Sequence, residues 1–187
     1  MHGKIVIGMT TSLDGFINDR KGSVEVLYPN LQSLRDTEPL SESIRDTGAV
    51  VMGRNSFEMV EDPDWFAGNY EYQVPIFVLT HNHPKKMPKQ TDTLTFTFVT
   101  DGIESAVQQA MAAAGDKEVN IIGAASSMRQ CLNVGLADEL HVDIMPVLLG
   151  GGLRPFEDIR AESIQLERIK VMELPGGRTH LRFRIIK

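Results

Sequence analysis

Four consecutive residues carry the most chemical promise in this chain: Gly53, Arg54, Asn55 and Ser56, directly after the apolar run at residues 49–52. Glycine at the end of a buried strand lets another molecule approach the backbone closely, and a guanidinium beside it offers a two-pronged charge suited to phosphate. A second junction has the same form. Residues 120–122 run into Gly123, Ala124, Ala125, Ser126 and Ser127. Where a strand gives way to a helix, the first helical N–H groups lack internal partners and carry partial positive charge, so an anion fits there. Either junction alone reads as a tight turn with a surface cation. Their recurrence points to a nucleotide crevice at the carboxyl ends of the strands, with the loop after the run at 74–80 as a third wall. Neither junction is a Walker loop, and GAASS lacks the GxGxxG spacing.

Two carboxylates could orient a substrate or relay a proton. Asp14 follows the first apolar run in SLDG, and reads equally as an Asp-Gly turn residue capping its own backbone. Asp143 lies in the stretch 139–149, where alternation sets Leu140, Val142 and Ile144 on one side and His141, Asp143 and Met145 on the other. An acid on a buried strand needs a partner or a pocket, so Asp143 either faces a substrate or is solvated or salt-bridged. Trp65, the only tryptophan, sits with Phe66 and Tyr70 in DPDWFAGNY, a loop that can stack on a flat heterocycle or fold onto the core. His81 and His83 have a chelating spacing, but no third ligand accompanies them and Pro84 follows, so a loop is expected and no metal. LLGGGLRPF, residues 148–156, offers a phosphate contact, a hinge or a turn at a dimer edge.

These groups need elements to hold them. Residues 4–9, 49–52 and 74–80 read as strands covered on both faces, and 93–99 alternates threonine with apolar residues. Asp101 and Glu104 form a capping-box pattern ahead of a helix with Ile103, Val107, Ala110 and Ala114 at helical spacing, ending at Gly115. Residues 118–123 read as a strand, and a helix after it turns Met128, Cys131 and Leu132 inward and stops at Gly135. The stretch 139–149 reads as one long strand, and 163–174 and 178–186 flank PGG as a hairpin. The fold expected is α/β: a single domain over residues 1–187 with a mixed, mostly parallel central sheet, flanking helices and an antiparallel C-terminal hairpin.

Composition narrows the function. A chain of 187 residues, 42% hydrophobic, is long enough for one core and short for two. Net charge is −6 with scattered acids, so no basic stripe invites nucleic acid. Lys85, Lys86 and Lys89, broken by prolines, read as a solvated loop. The lone Cys131 excludes an internal disulfide and a cysteine zinc site, and the N-terminus lacks both a signal core and a span of about 20 apolar residues. A cytoplasmic protein without a membrane partner is expected.

The segments TTSLDGFI, VVMGRNSFE, IFVLTHN and NIIGAASSMRQCLNVGLADELHVDIMPVLLGGG, in this order and spacing, resemble the dihydrofolate-reductase-like superfamily. The nearest branch is the reductase domain of bacterial bifunctional riboflavin-pathway deaminase-reductases and its stand-alone relatives, and the likeness spans nearly the whole chain. It implies a reductase of a small heterocyclic (pterin- or pyrimidine-like) or carbonyl substrate, with NADPH as cofactor. Gly53, Arg54, Asn55 and Ser56 would meet the pyrophosphate and adenosine phosphate, Thr80 and His81 the adenosine ribose and its 2′-phosphate, and Gly123, Ala124, Ala125, Ser126 and Ser127 the phosphates opposite. Gly15, Phe16 and Ile17 would line the nicotinamide pocket beside Asp14. Relatives often carry arginine where His81 stands, a second glycine at Ala124 and a basic residue at Ser126, so the grip on a 2′-phosphate falls chiefly to Arg54. No H-x-E with P-C-x-x-C occurs, so zinc deamination is absent from the sequence. Relatives commonly form homodimers, with the 139–149 strand or the hairpin as interface. The alternative is a nucleotide-binding or sensing protein without turnover.

Overall fold

A computed structural model of the chain describes residues 3–29, 31–123, 125–160 and 164–187. Apolar runs form β1 (Ile5–Ser12), β2 (Thr47–Gly53), β3 (Ile76–Leu79), β4 (Phe96–Val99), β5 (Glu118–Ile122) and β6 (Glu139–Met145), and the hairpin supplies β7 (Gln165–Leu174) and β8 (Arg178–Ile186). All pair in one eight-stranded sheet, ordered β4-β3-β2-β5-β1-β6-β8-β7. Pairings from β4 to β6 are parallel, and β8 runs antiparallel to both β6 and β7. This is the mixed sheet with an antiparallel hairpin expected from the sequence. Among the described residues, no helix is long and apolar enough to cross a membrane.

The helices are α1 (Leu31–Arg35), α2 (Glu38–Asp46), α3 (Arg54–Phe57), α4 (Phe66–Asn69), α5 (Ile103–Ala114) and α6 (Ala125–Asn133). α5 buries Ile103, Val107 and Ala110, and α6 buries Met128, Cys131 and Leu132, against the face of the sheet that carries Ile7, Val51, Ile121 and Val142. Each large side chain so buried stabilises by roughly 2 kcal/mol. On the other face, Val50, Met52, Phe57, Phe66, Ile76 and Phe96 form a second core. That core covers the β2-β3-β4 half. Over β5, β1, β6 and β8 the same face is left with polar residues and a cavity, described below.

Several boundaries differ from expectation, three of them for a clear local reason. The long strand ends at Met145, because Pro146 has no N–H to donate and Val147 N turns back to the Met145 carbonyl. The strand expected from residue 93 starts at Phe96, because Leu94 N bonds Thr91 Oγ1 in a turn. The capping box at Asp101 does not form: Gly102 caps α5 at φ +109° without a side-chain bond.

Candidate functional site

β2 and β5 are adjacent and parallel with Met52 opposite Ile122, so Gly53 and Gly123 leave the sheet side by side. Gly123 has φ +67°, and a β-carbon there would stand 2.8 Å from Ser56 Cβ and closer still to Ser56 Oγ. Only glycine lets the two turns touch. The two junctions read separately from the sequence are thus one structure.

Their chemistry is narrower than expected. α3 is a single turn of four residues, too short for a developed helix dipole, so charge at the first junction rests on Arg54. The Arg54 Nε donates to Glu58 Oε1 at 2.8 Å, a half-exposed i,i+4 pair that competes with an incoming anion. Asn55 is exposed and Gly53 buried. At the second junction Gly123 and Ser126 are exposed, whereas Ala125 and Ser127 are buried. The Ser127 hydroxyl therefore does not open onto the crevice, and backbone N–H groups are what these two positions can offer. Ser126 Oγ accepts from Gln130 Nε2. Ala124 lies outside the described residues.

Thr80 borders a shallow hollow with Arg54, Asn82 and Phe98, but its hydroxyl is spent on the turn, donating to the Asn82 carbonyl at 2.8 Å and accepting from Asn82 N. His81 is exposed. Among the described residues no group of three His, Cys, Asp or Glu is placed to hold a metal ion.

Asp14 proves to be a latch. Its carboxylate accepts from Ser12 Oγ at 2.6 Å and from the backbone N–H groups of Leu149 and Gly150. The Ser12 bond first, then the two amides, hold its pKa down at about 2. Both oxygens are thus engaged in closing the turn onto the loop at Leu149 and Gly150, and the residue does not line the cavity. Gly15, at φ +82°, turns the chain so that Phe16 tucks under the Arg154 guanidinium, 4.3 Å from its ring centre, and Ile17 N bonds the Leu153 carbonyl. These residues pack on the 147–154 loop, so LLGGGLRPF serves as their dock.

A cavity of about 300 Å³ opens over the polar half of the sheet, between β1, β5, β6, β8 and α2. Asp143 lines it and is salt-bridged, the second of the two alternatives weighed for it. Arg178 Nη1 donates to Asp143 Oδ2 at 3.0 Å and to Thr10 Oγ1, while Nη2 holds the Leu27 carbonyl. Arg178 is 2% exposed, which makes this a fixed wall and not a mobile surface cation. His180 Nδ1 lies 2.6 Å from Asp143 Oδ1, and Arg182 Nε donates to His180 Nε2 at 3.0 Å. Since Nε2 accepts, the bond pattern assigns the proton to Nδ1, which donates to Asp143. Arg182 is braced by Glu42 Oε2 at 2.6 Å.

Next to this chain, His141 Nε2 meets Glu139 Oε2 at 3.1 Å and Lys4 meets Glu139 Oε1 at 2.7 Å. His141, then Lys4, hold Glu139 at a pKa of about 2, while burial outweighs the Glu139 bond and lowers that of His141. A neutral imidazole donating to a carboxylate satisfies both. At the rim, half-exposed Trp65 lines the cavity while its neighbour Phe66 is buried. The aromatic loop thus divides between rim and core.

Sequence reading missed Arg178, His180 and Arg182. The signal was present as a period-two run of cations in RTHLRFR facing the period-two run Glu139, His141, Asp143. The antiparallel register pairs Asp143 with His180, His141 with Arg182 and Glu139 with Arg184.

The model of the RibD C-terminal domain matches residues 3–178. YyaP of Bacillus subtilis (strain 168), an uncharacterized protein, is 25% identical over 186 residues, 93% of this chain and 90% of its own. Among solved structures, a protein assigned to riboflavin biosynthesis in Shewanella sp. PV-4 aligns over all of both chains with TM-score 0.78 and 24% identity. A dihydrofolate reductase from Enterococcus faecalis, complexed with NADP(H) and RAB-propyl, aligns over all of this chain and 99% of its own, with TM-score 0.64 and 15% identity. These structures share the fold described above.

Proposed function

Because the chain belongs to the RibD C-terminal domain family, we propose that it is an NADPH-dependent oxidoreductase acting on a small heterocyclic, pterin- or pyrimidine-like, or carbonyl substrate. One observation carries the reading: Ile122 lines the cavity and the next residue, Gly123, is the glycine that touches Ser56. A dinucleotide laid across the paired turns has its other end at the cavity mouth. Bound NADPH supplies the hydride. The backbone at Gly53–Ser56 and around Gly123 holds the phosphates, and the free Nη groups of Arg54 recognise the 2′-phosphate. Asp143, fixed by Arg178 and His180, orients the acceptor, and Trp65 stacks on its exposed face. Two copies pair through the hairpin, supported by the apolar side chains Leu166, Ile169 and Val171 exposed on β7.

The test is a binding titration of NADPH and NADH, followed by NADPH oxidation with a panel of pterins, pyrimidines and quinones. Preferential NADPH binding and turnover of at least one ring class are expected. Tight NADPH binding without turnover across the panel contradicts the enzyme and leaves a nucleotide-binding protein. Equal affinity for the two nucleotides removes the 2′-phosphate role of Arg54.

A further inference from the structure

Asn120 stands on the cavity wall, 5% exposed, and takes no part in the charged network or the glycine turns. Its strand neighbours Val119 and Ile121 point into the opposite core, so the β-pleat turns the amide toward the cavity. Asn120 Nδ2 donates to Ser43 Oγ at 3.0 Å, and Ser43 Oγ lies 2.8 Å from Tyr72 Oη. Burial pushes the Tyr72 phenol up to about 12, so it stays protonated and keeps this chain of hydroxyls intact. The amide is therefore oriented, yet its Oδ1 has no hydrogen-bond partner. Gly8 faces it from β1, and even a β-carbon there would stand 3.4 Å from Oδ1. A buried carbonyl oxygen without a donor is costly, and a polar atom held in that state beside a cavity is shaped for a ligand.

We propose that Asn120 determines specificity: its Oδ1 accepts a hydrogen bond from a ring N–H or O–H of the substrate and selects rings bearing such a donor over the same rings with the donor alkylated. This rests on the cavity being the substrate site of the proposed reductase. A site built to pair a donor rejects the analogue that lacks it, because the acceptor is then left buried and unpaired.

The probes are quinazoline-2,4-dione, which carries two ring N–H donors, and its 1,3-dimethyl derivative, which carries none, titrated by calorimetry. The wild type should bind the dione about tenfold more tightly than the dimethyl compound, the ratio expected of one buried hydrogen bond. Asn120→Leu should erase the preference by weakening the dione alone, and Asn120→Asp, which keeps an acceptor in place, should retain it. No preference in the wild type, binding of neither probe, or an unchanged preference in Asn120→Leu overturns the assignment. The wild-type comparison needs no variant to fold. NADPH oxidation by the panel above reads the other claim separately: a donor preference without turnover removes the reductase alone, and turnover without the preference removes the Asn120 assignment alone.

Discussion

The glycine turns and the cavity wall are neighbours built on opposite principles. The turns are made of backbone: Gly123 is admitted by the absence of a side chain, and each turn is a short contiguous stretch. The wall is made of side chains, Asp143, Arg178 and His180, braced by Arg182 and Glu42, and they are drawn from three elements far apart in the chain. Backbone offers any phosphate the same N–H groups, whereas a wall of paired charges is specific and costly to disturb. In the function proposed above, the turns are the general nucleotide end and the wall is the selective substrate end.

The comparison breaks first at the wall. Arg178→Met leaves the Asp143 Oδ2, the Thr10 hydroxyl and the Leu27 carbonyl without their donor. Removing one member of a buried pair should lower unfolding stability by about 3 kcal/mol, measured by urea denaturation. A loss below about 1 kcal/mol would make the wall an ordinary surface pair.

Gly123→Ala tests the turns. It forces a β-carbon into Ser56 at φ +67°, with an expected stability loss of about 1–2 kcal/mol and at least a tenfold loss of NADPH affinity, roughly the worth of one charged hydrogen bond. Unchanged affinity in a folded variant would separate the turns from nucleotide binding. Arg54→Ala should act more selectively, weakening NADPH about tenfold while sparing NADH, because the guanidinium is the charge available to a 2′-phosphate.

The smallest effect concerns the Asp14 latch. Its folded pKa of about 2 lies below the unfolded carboxyl value, so the stabilisation is complete above about pH 4 and is lost as pH falls toward about 2. Amide shifts of Leu149 and Gly150 followed by NMR should report a midpoint of about 2, and a midpoint of about 4 would leave Asp14 unlatched.

The same contrast explains what the sequence made legible. Strands, α5, α6 and the hairpin follow from local period and turn residues, and the glycine junctions are motifs of a few residues, so both could be read directly, whereas α2 was not read. The buried state of Ser127 is set by the rotation of α6 on the sheet, which its polarity hides. The end of β6 was written in Pro146, whose missing N–H outweighs the apolar run around it. Arg178 and His180 gain meaning from register with β6, a long-range pairing. Asn120 was visible only as a polar residue inside an apolar strand.

The most direct measurement is an amide NMR titration with NADPH. The expected result is that shifts concentrate at residues 53–56 and around Gly123, and extend through Ile122 to Gly8 at the cavity. Shifts confined to the hairpin, or absent at both glycine turns, would contradict the nucleotide site and the reductase built on it.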